Sequence, residues 1–317
     1  MPLDRRHFLE TTGLAVTAWT LLGTPAAASL PHADPKIGMC DWNLGPSCDP
    51  EQIPKAQQAH LEGIQVSVGI RPDFVPLREP TVRQRYLELG KQHEIAFPSV
   101  AAGSILNRIP LKSEPQSAVY VIDAVEAAAA LGSSCILIAF FGNGDLRLRD
   151  SMGAFRNLSD GPFSSYELDA HGVTRVVEAL RQIAPRAEDA GVILGLENTL
   201  TAEQNLEIID RIGSPIMQVY YDVGNSTAYG YDVPGEIRML GNDRICEIHL
   251  KETLGLDDPR AVVLGAPEAG GVDFEGAAAA CRDIEFDKWF ILELSGRETR
   301  FIEDTRANVA FVKEHFD

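Results

Sequence analysis

Four side chains that can bind a metal ion lie at equivalent places in four successive apolar segments. Each interrupts a run of large apolar residues, where an unpaired charge would be costly to bury. Taken singly they have ordinary explanations: a strand-end carboxylate in solvent, a turn, a satisfied core histidine, or an ion pair with a neighbouring Arg. Their recurrence favours one shared site, because a single cation would compensate the buried charge. The four are Glu197 in "VILGLEN", Asp222 in "MQVYYDV", His249 in "ICEIHLK" and Glu293 in "WFILEL".

The donor set indicates which ions such a site would hold. Three carboxylates and one imidazole offer hard oxygen and nitrogen ligands, which suit Mn²⁺, Mg²⁺ or Co²⁺, with Zn²⁺ and Fe²⁺ as alternatives. The set lacks the thiolates of a structural zinc site. We therefore expect one divalent metal ion as the cofactor.

A metal centre of this kind is suited to proton transfer beside a carbonyl group. A divalent ion that holds the carbonyl oxygen and the adjacent hydroxyl of a sugar stabilises the enediolate that forms when the α-proton leaves. Two carboxylates on opposite sides of the sugar can then remove and return the proton. The residue types are thus compatible with proton transfer beside a carbonyl group.

The elements that must position these residues alternate between strand and helix. Most of the apolar runs are continuous, as expected for parallel strands covered on both faces. Amphipathic segments lie between them, including residues 117–132 and 173–191, which both end in Gly, and a last helix is predicted over 305–316. The predicted strands are 36–42, 63–69, 94–100, 135–141, 192–198, 217–223, 245–251 and 289–294.

These elements predict an α/β fold, a single (β/α)8 TIM barrel over residues 36–317. Eight strand-helix units in about 280 residues match the size of that barrel. An open, doubly wound sheet is the alternative, but no GxGxxG motif follows the first strand. Catalytic residues of barrels lie at the carboxyl ends of the strands, where the four metal-binding candidates fall. The irregular segment 142–172 would lie on the same face as a lid or substrate loop.

Further polar and aromatic residues near the strand ends are candidates for substrate binding. Trp42 and Asp41 follow the first strand and could offer a sugar an apolar wall and a hydroxyl acceptor; a lid-packed Trp and a turn-forming Asp are the alternatives. Asn143 follows the fourth strand and Asn225 the sixth. Lys251, at the end of the seventh, could assist an oxyanion or form a salt bridge at the rim.

The motifs around these residues resemble a known family. "LGLENT", "YYDVGN", "EIHLKE" and "LELSG", with "GGVDFEG" before the last strand, are similar to motifs of the sugar phosphate isomerase/epimerase superfamily, the xylose-isomerase-like TIM barrels. The similarity covers residues 36–315 and is strongest over 192–296. It implies that the four candidates above are the metal ligands. It also implies that Glu197 and Glu293 are the catalytic acid/base pair.

Two positions differ from the epimerases of the tagatose and psicose type. Those enzymes carry a His three residues after the Asp ligand, where this chain has Asn225, and an Arg six residues after the His ligand, where it has Gly255. Lys251 and Glu252 instead resemble the HxKD motif of the inosose-dehydratase-like branch. No Gly-rich or Arg-rich phosphate cradle follows the seventh and eighth strands, so a phosphorylated substrate does not follow from the family's name.

The resemblance implies a divalent-metal-dependent isomerase or epimerase that acts on a small sugar or polyol ketone through an enediolate. A metal-dependent lyase of the inosose dehydratase or 3-keto-glycoside-cleaving kind is the alternative, and Lys251 and an export signal favour it. A DNA-repair endonuclease is disfavoured, because only His249 of the seven histidines lies at a strand end. A non-catalytic sugar-binding barrel would tolerate the loss of a glutamate, and here both are present.

The N-terminus and the net charge bear on location and partners. Arg5 and Arg6, an apolar stretch over 13–22 and alanines at 26–28 resemble a twin-arginine export signal, which predicts a signal peptide over 1–28 and a linker over 29–35. We therefore expect a periplasmic or secreted protein, with no stable membrane insertion after signal removal. A net charge of −18 disfavours nucleic acid. A small-molecule carbohydrate is the expected partner, and a homo-oligomer stays open.

The cysteines predict little covalent cross-linking. The chain has five of them, scattered and without a CxxC pair. An odd number in apolar strand segments favours mostly free, buried thiols. A bridge between Cys40 and Cys48 is the alternative outside the cytoplasm.

Overall fold

A computed structural model describes residues 34–159, 162–253, 262–265, 271–294 and 296–317. The predicted signal peptide, most of the predicted linker and Gly255 lie outside these ranges. Eight parallel strands form a closed barrel in which each strand pairs with the next along the chain and the last returns to the first. They are β1 (Lys36–Cys40), β2 (Gly63–Ser67), β3 (Ser99–Ala101), β4 (Cys135–Ala139), β5 (Ile193–Glu197), β6 (Met217–Asp222), β7 (Ile245–Leu250) and β8 (Trp289–Leu292). The predicted (β/α)8 barrel is thereby confirmed.

Helices connect successive strands. None of them within the described ranges combines the length and the apolar character needed to cross a membrane. Short 3₁₀ turns lie at Pro50–Gln52, Pro76–Arg78, Pro115–Ser117, Gly142–Gly144 and Glu298–Arg300. The α-helices are α1 (Asp41–Leu44), α2 (Ile53–Gln58), α3 (Pro80–His93), α4 (Gly103–Leu106), α5 (Ala118–Leu131), α6 (Ala170–Ala190), α7 (Ala202–Ile212), α8 (Val223–Ala228), α9 (Val233–Arg244), α10 (Phe274–Asp283) and α11 (Phe301–His315).

The ends of the helices follow local sequence signals. Helices α5 and α6 stop where Gly132 and Gly191 adopt left-handed conformations, with φ of 75° and 66°. Helix α7 starts at a capping box, in which the Thr201 side chain accepts from the backbone N–H of Gln204 and the Gln204 side chain accepts from that of Thr201. The three helices predicted from periodicity are present as α5, α6 and α11.

Apolar side chains pack on both sides of the strands. A large cluster joins the strands to the surrounding helices. A smaller cluster unites residues of six different strands, which can meet only inside the barrel: Cys40, Ala101, Cys135, Leu137, Ala139, Tyr220, Cys246 and Ile291. All five cysteines are free and buried, which confirms the expectation of unpaired thiols.

The third strand differs from its prediction over residues 94–100. Glu94 has a φ of 56° and ends α3, so it does not begin a strand. Ala96 forms an isolated bridge with Gly63. Pro98, which follows, has no N–H to donate to a strand ladder. Regular pairing with β2 is therefore limited to Ser99–Ala101.

The segment 142–172 after β4 has an ordered base. Residues Arg147 and Leu168 form an antiparallel bridge there. The buried guanidinium of Arg147 pairs with Asp145 at 2.8 Å and lies over the ring of Phe155 at 3.7 Å. Thr199, just beyond β5, donates to Asp145 Oδ1 at 2.7 Å. These contacts anchor the segment at the carboxyl ends of the strands, while its role as a lid or substrate loop stays a prediction.

Candidate metal centre and substrate cavity

The four predicted ligands converge at the carboxyl ends of the last four strands. Glu197 and Asp222 end β5 and β6, His249 is the penultimate residue of β7, and Glu293 directly follows β8. One ligand atom from each of the four lies within 4.8 Å of the others. His249 Nδ1 lies 3.1 Å from Glu197 Oε1. The same nitrogen lies 3.5 Å from Glu293 Oε2 and 3.6 Å from Asp222 Oδ2.

Strand register produces this convergence. Asp222 on β6 lies opposite His249 on β7, and His249 lies opposite Ile291 on β8. Adjacent parallel strands in a closed barrel bring residues of equal height to one rim. Asp222 is further fixed as the N-cap of α8, where its Oδ1 accepts from the backbone N–H of Asn225 at 2.8 Å.

Lys251 supplies positive charge to the centre. Its ammonium group lies 2.9 Å from Asp222 Oδ2 and 2.5 Å from Glu293 Oε2. Burial would lower the pKa of Lys251, but these two carboxylates outweigh burial and hold it well above its usual range. The group therefore stays protonated.

The same surroundings shift the pKa values of the candidate ligands in different directions. Burial opposes ionisation of Asp222, but Lys251 and His249 outweigh it and hold the pKa of Asp222 well below its usual range. Burial raises the pKa of Glu293, although Lys251 opposes this effect. Burial lowers the pKa of His249, but the neighbouring carboxylates of Glu293 and Glu197 raise it well above its usual range.

The donor set fits a hard divalent cation. Three carboxylates meet one imidazole nitrogen in a place where Glu197 is 5% exposed and Asp222 4% exposed. So much buried negative charge requires compensation. A cluster of oxygen and nitrogen ligands of this kind suits Mg²⁺, Mn²⁺ or Co²⁺. The identity of the ion stays a prediction.

A cavity of about 320 Å³ adjoins the centre. Its size is at the lower end of the range for ligand pockets, which suits a small molecule. Its polar lining comes from Glu197, Glu293, Lys251, Asn225, Ser104 and Asn107, and its apolar lining from Trp42, Leu137, Ala139 and Phe141, with Gly103 completing the wall. Of the residues predicted to bind substrate, Trp42, Asn225 and Lys251 line this cavity.

Asp41 does not line the cavity. Its Oδ2 accepts from the backbone N–H groups of Cys48 at 2.9 Å and Ser67 at 2.8 Å, and its Oδ1 accepts from Ser67 Oγ at 2.6 Å. Burial raises the pKa of Asp41 to about 6. In place of the expected sugar contact, its carboxylate joins the turn after β1 to β2.

Asn143 is likewise outside the lining. It lies exposed in the 3₁₀ turn that follows β4. Asn107, directly after α4, lines the cavity. Its Oδ1 accepts from the backbone N–H of Phe141 at 3.2 Å, and no described residue accepts from its amide N–H groups. Ser104 and Asn107 escaped the sequence analysis because α4 is a single turn with no periodic pattern.

Comparison with known proteins identifies the family of this barrel. A family model described as "Xylose isomerase-like TIM barrel" matches residues 53–315. A 2-epi-5-epi-valiolone 7-phosphate 2-epimerase of Actinoplanes sp. is 25% identical over 239 residues, which are 74% of this chain and 78% of that protein.

Solved structures show the same fold at low sequence identity. A D-psicose 3-epimerase from Clostridium cellulolyticum H10 is similar with a TM-score of 0.68 and 16% identity, over 89% of this chain and 99% of that one. A 3-keto-D-glucoside 4-epimerase from E. coli gives a TM-score of 0.67 and 14% identity, over 88% and 99%. At such identities the likeness concerns the barrel alone.

The bonds of Asp41 predict a structural effect of its removal. Asp41→Ala leaves two buried backbone N–H groups without a partner, so the free energy of unfolding should fall by about 2 kcal/mol or more. Asp41→Asn keeps an accepting oxygen and should remain close to wild type. Because the raised pKa makes ionisation unfavourable in the fold, the contribution of Asp41 to stability should fall as the pH rises from 4 to 6 and be pH-independent in Asp41→Asn.

Chemical denaturation at several pH values measures these effects. Substrate KM should be unchanged in Asp41→Asn. A raised KM at wild-type stability would instead support the sugar contact expected from the sequence.

Proposed function

Because the chain belongs to the xylose isomerase-like TIM barrel family, we propose that it is a divalent-metal-dependent epimerase of a small sugar or polyol ketone. The observation that carries the proposal is the convergence of three carboxylates and His249 Nδ1 beside a cavity of about 320 Å³. The names of the relatives, which are epimerases of a valiolone phosphate, of psicose and of a keto-glucoside, support the same class of reaction.

Glu197 and Glu293 are the proposed acid/base pair. Both line the cavity, and they come from β5 and from the end of β8, so they reach the substrate from different strands. Epimerisation needs the proton to leave one face of a carbon and return to the other, which two separately placed carboxylates can do. A bound divalent ion would supply the positive charge that stabilises the negative charge developing on substrate oxygen.

Lys251 and Asn225 are proposed to orient the substrate. An ammonium group has three N–H donors. Among the described residues Lys251 pairs with Asp222 and Glu293, which leaves one donor for a substrate oxygen. The Asn225 amide donates to Asp222 Oδ2 at 3.1 Å and also lines the cavity. Trp42 supplies the apolar wall against which a sugar ring can lie.

A lyase that uses the same centre is the second candidate. The third N–H of Lys251 favours it, because a cationic donor at the cavity can hydrogen-bond to a departing hydroxyl or glycosidic oxygen and stabilise its developing negative charge. Like this lyase activity, the membership of the chain in the inosose-dehydratase-like branch remains a prediction.

We also propose export by the twin-arginine route, with residues 1–28 as the signal and a periplasmic or secreted barrel. The arginine pair and the apolar stretch that follows support this.

The net charge of −18 further supports a small carbohydrate over nucleic acid as the partner.

Proton exchange tests the proposed reaction. Protein loaded with Mn²⁺ or Mg²⁺ in deuterated water, given ketoses, their phosphates, inososes and 3-keto-glycosides, should incorporate deuterium at the α-carbon of one compound and yield its epimer. Mass spectrometry measures the exchange and chromatography the product. Loss of water or of an aglycone would identify a lyase, and the absence of exchange with every compound would contradict both candidates.

Glu197→Gln should reduce the exchange rate at least about 100-fold, since the variant lacks the group that moves the proton. The melting temperature should stay close to wild type. Glu207→Gln, which alters an exposed residue of α7, is the matched control and should exchange at the normal rate. Exchange that survives in metal-loaded Glu197→Gln would remove this residue from the mechanism.

Asn107→Ala should raise substrate KM about 2- to 10-fold, which corresponds to one neutral hydrogen bond. Metal affinity should not change, because Asn107 is not among the ligands. Asn143→Ala is the matched control and should leave KM unchanged. If Asn143→Ala raised KM and Asn107→Ala did not, the result would support the assignment of Asn143 to substrate binding that was made from the sequence.

A further inference from the structure

A chain of buried polar side chains lies beneath the candidate metal centre. It crosses the interior of the barrel through β2, β3, β6 and β7, and every member is at most 1% exposed. Polar groups at such depth are costly unless they are hydrogen-bonded. The members are Gln65, Ser99, Tyr220, Glu247 and His249.

Glu247 fixes the direction of the hydrogen bonds at the lower end. Its Oε2 accepts from Ser99 Oγ at 2.7 Å and from the Tyr220 hydroxyl at 2.5 Å. While the Glu247 carboxylate is ionised, each hydroxyl places its single proton on Oε2 and can only accept from its other neighbours. The two hydroxyls are 3.3 Å apart and cannot then donate to each other. The donor that serves both is the amide nitrogen of Gln65, at 3.1 Å from Ser99 Oγ and 2.7 Å from the Tyr220 hydroxyl.

Gln65 transmits this direction to the histidine. With its nitrogen turned to the two hydroxyls, its Oε1 lies 3.0 Å from His249 Nε2. The Cys40 thiol donates to the same Oε1 at 3.3 Å. An amide oxygen can only accept, so His249 Nε2 must carry a proton. The other ring nitrogen, Nδ1, faces the carboxylates.

We propose that Gln65 is the positioning residue of the metal centre. By holding the Nε2 proton of His249, it leaves Nδ1 as the ring atom that ligates the ion. The Tyr220 ring packs against the imidazole, with the centroids 4.5 Å apart and the ring planes inclined at 61°, and so limits rotation of the His249 ring. Outer groups that orient a ligating histidine contribute about 10- to 100-fold to metal affinity. The inference rests on the metal centre of the proposed function.

Nitrogen NMR of the unaltered protein tests the assignment directly. Protein labelled with ¹⁵N-histidine and loaded with Zn²⁺ as a diamagnetic probe should show a proton on Nε2 of His249 and the metal on Nδ1. His249→Gln identifies the resonances. Zn²⁺ on Nε2, with a proton on Nδ1, would overturn the inference and leave the metal centre in place.

Substitution of Gln65 tests its contribution. Gln65→Met keeps the volume but removes the acceptor, and it should weaken Mn²⁺ binding about 10- to 100-fold in a calorimetric titration. Gln218→Met makes the same change on β6, four residues before Asp222, and should bind Mn²⁺ like the wild type. Unchanged affinity in a folded Gln65→Met variant would contradict the inference. Failure of the wild type to bind any divalent ion would instead contradict the proposed function.

Discussion

The burial of three carboxylates at one rim of the barrel is the constraint on which the site depends. Glu197, Asp222 and Glu293 repel one another and have lost most of their contact with water. Lys251 and His249 offset part of this charge. The deep pKa depression of Asp222 and the raised pKa of Glu293 show that this compensation is uneven. A place that gathers more negative charge than the adjoining side chains balance is suited to a cation of high charge.

The closed barrel makes such a concentration of charge geometrically stable. Eight parallel strands of three to six residues deliver their last residues to a common rim, while the helices cover the outside. The interior below the rim contains a cluster of apolar side chains together with the hydrogen-bonded chain that begins at Glu247. The acidic rim therefore rests on a support in which the Gln65 amide links two hydroxyls to the His249 ring in a fixed direction.

The fold and the convergence of the four candidate ligands were predictable because both depend on strand ends. An apolar run that stops at an acidic residue shows where a buried strand reaches a rim. Closure of the barrel then brings these strand ends together. Residues after the strands were harder, since the direction of Asp41 or Asn143 depends on turns of a few residues. Hydrophobicity alone predicted a longer third strand, but Pro98 interrupts its pairing, so the strand begins only after this residue. Gln65 lies inside an apolar run, and its contact with the ring of His249 becomes visible only in the folded structure.

The five unpaired thiols have a consequence for how the chain matures. Every one is enclosed by the barrel or by the layer around it. Burial raises the pKa of the Cys40 thiol to about 12, so it has little tendency to form the reactive thiolate. No step of maturation has to wait for an oxidant or a disulfide isomerase. The barrel can thus reach the same native state in a reducing compartment and keep it in an oxidising one.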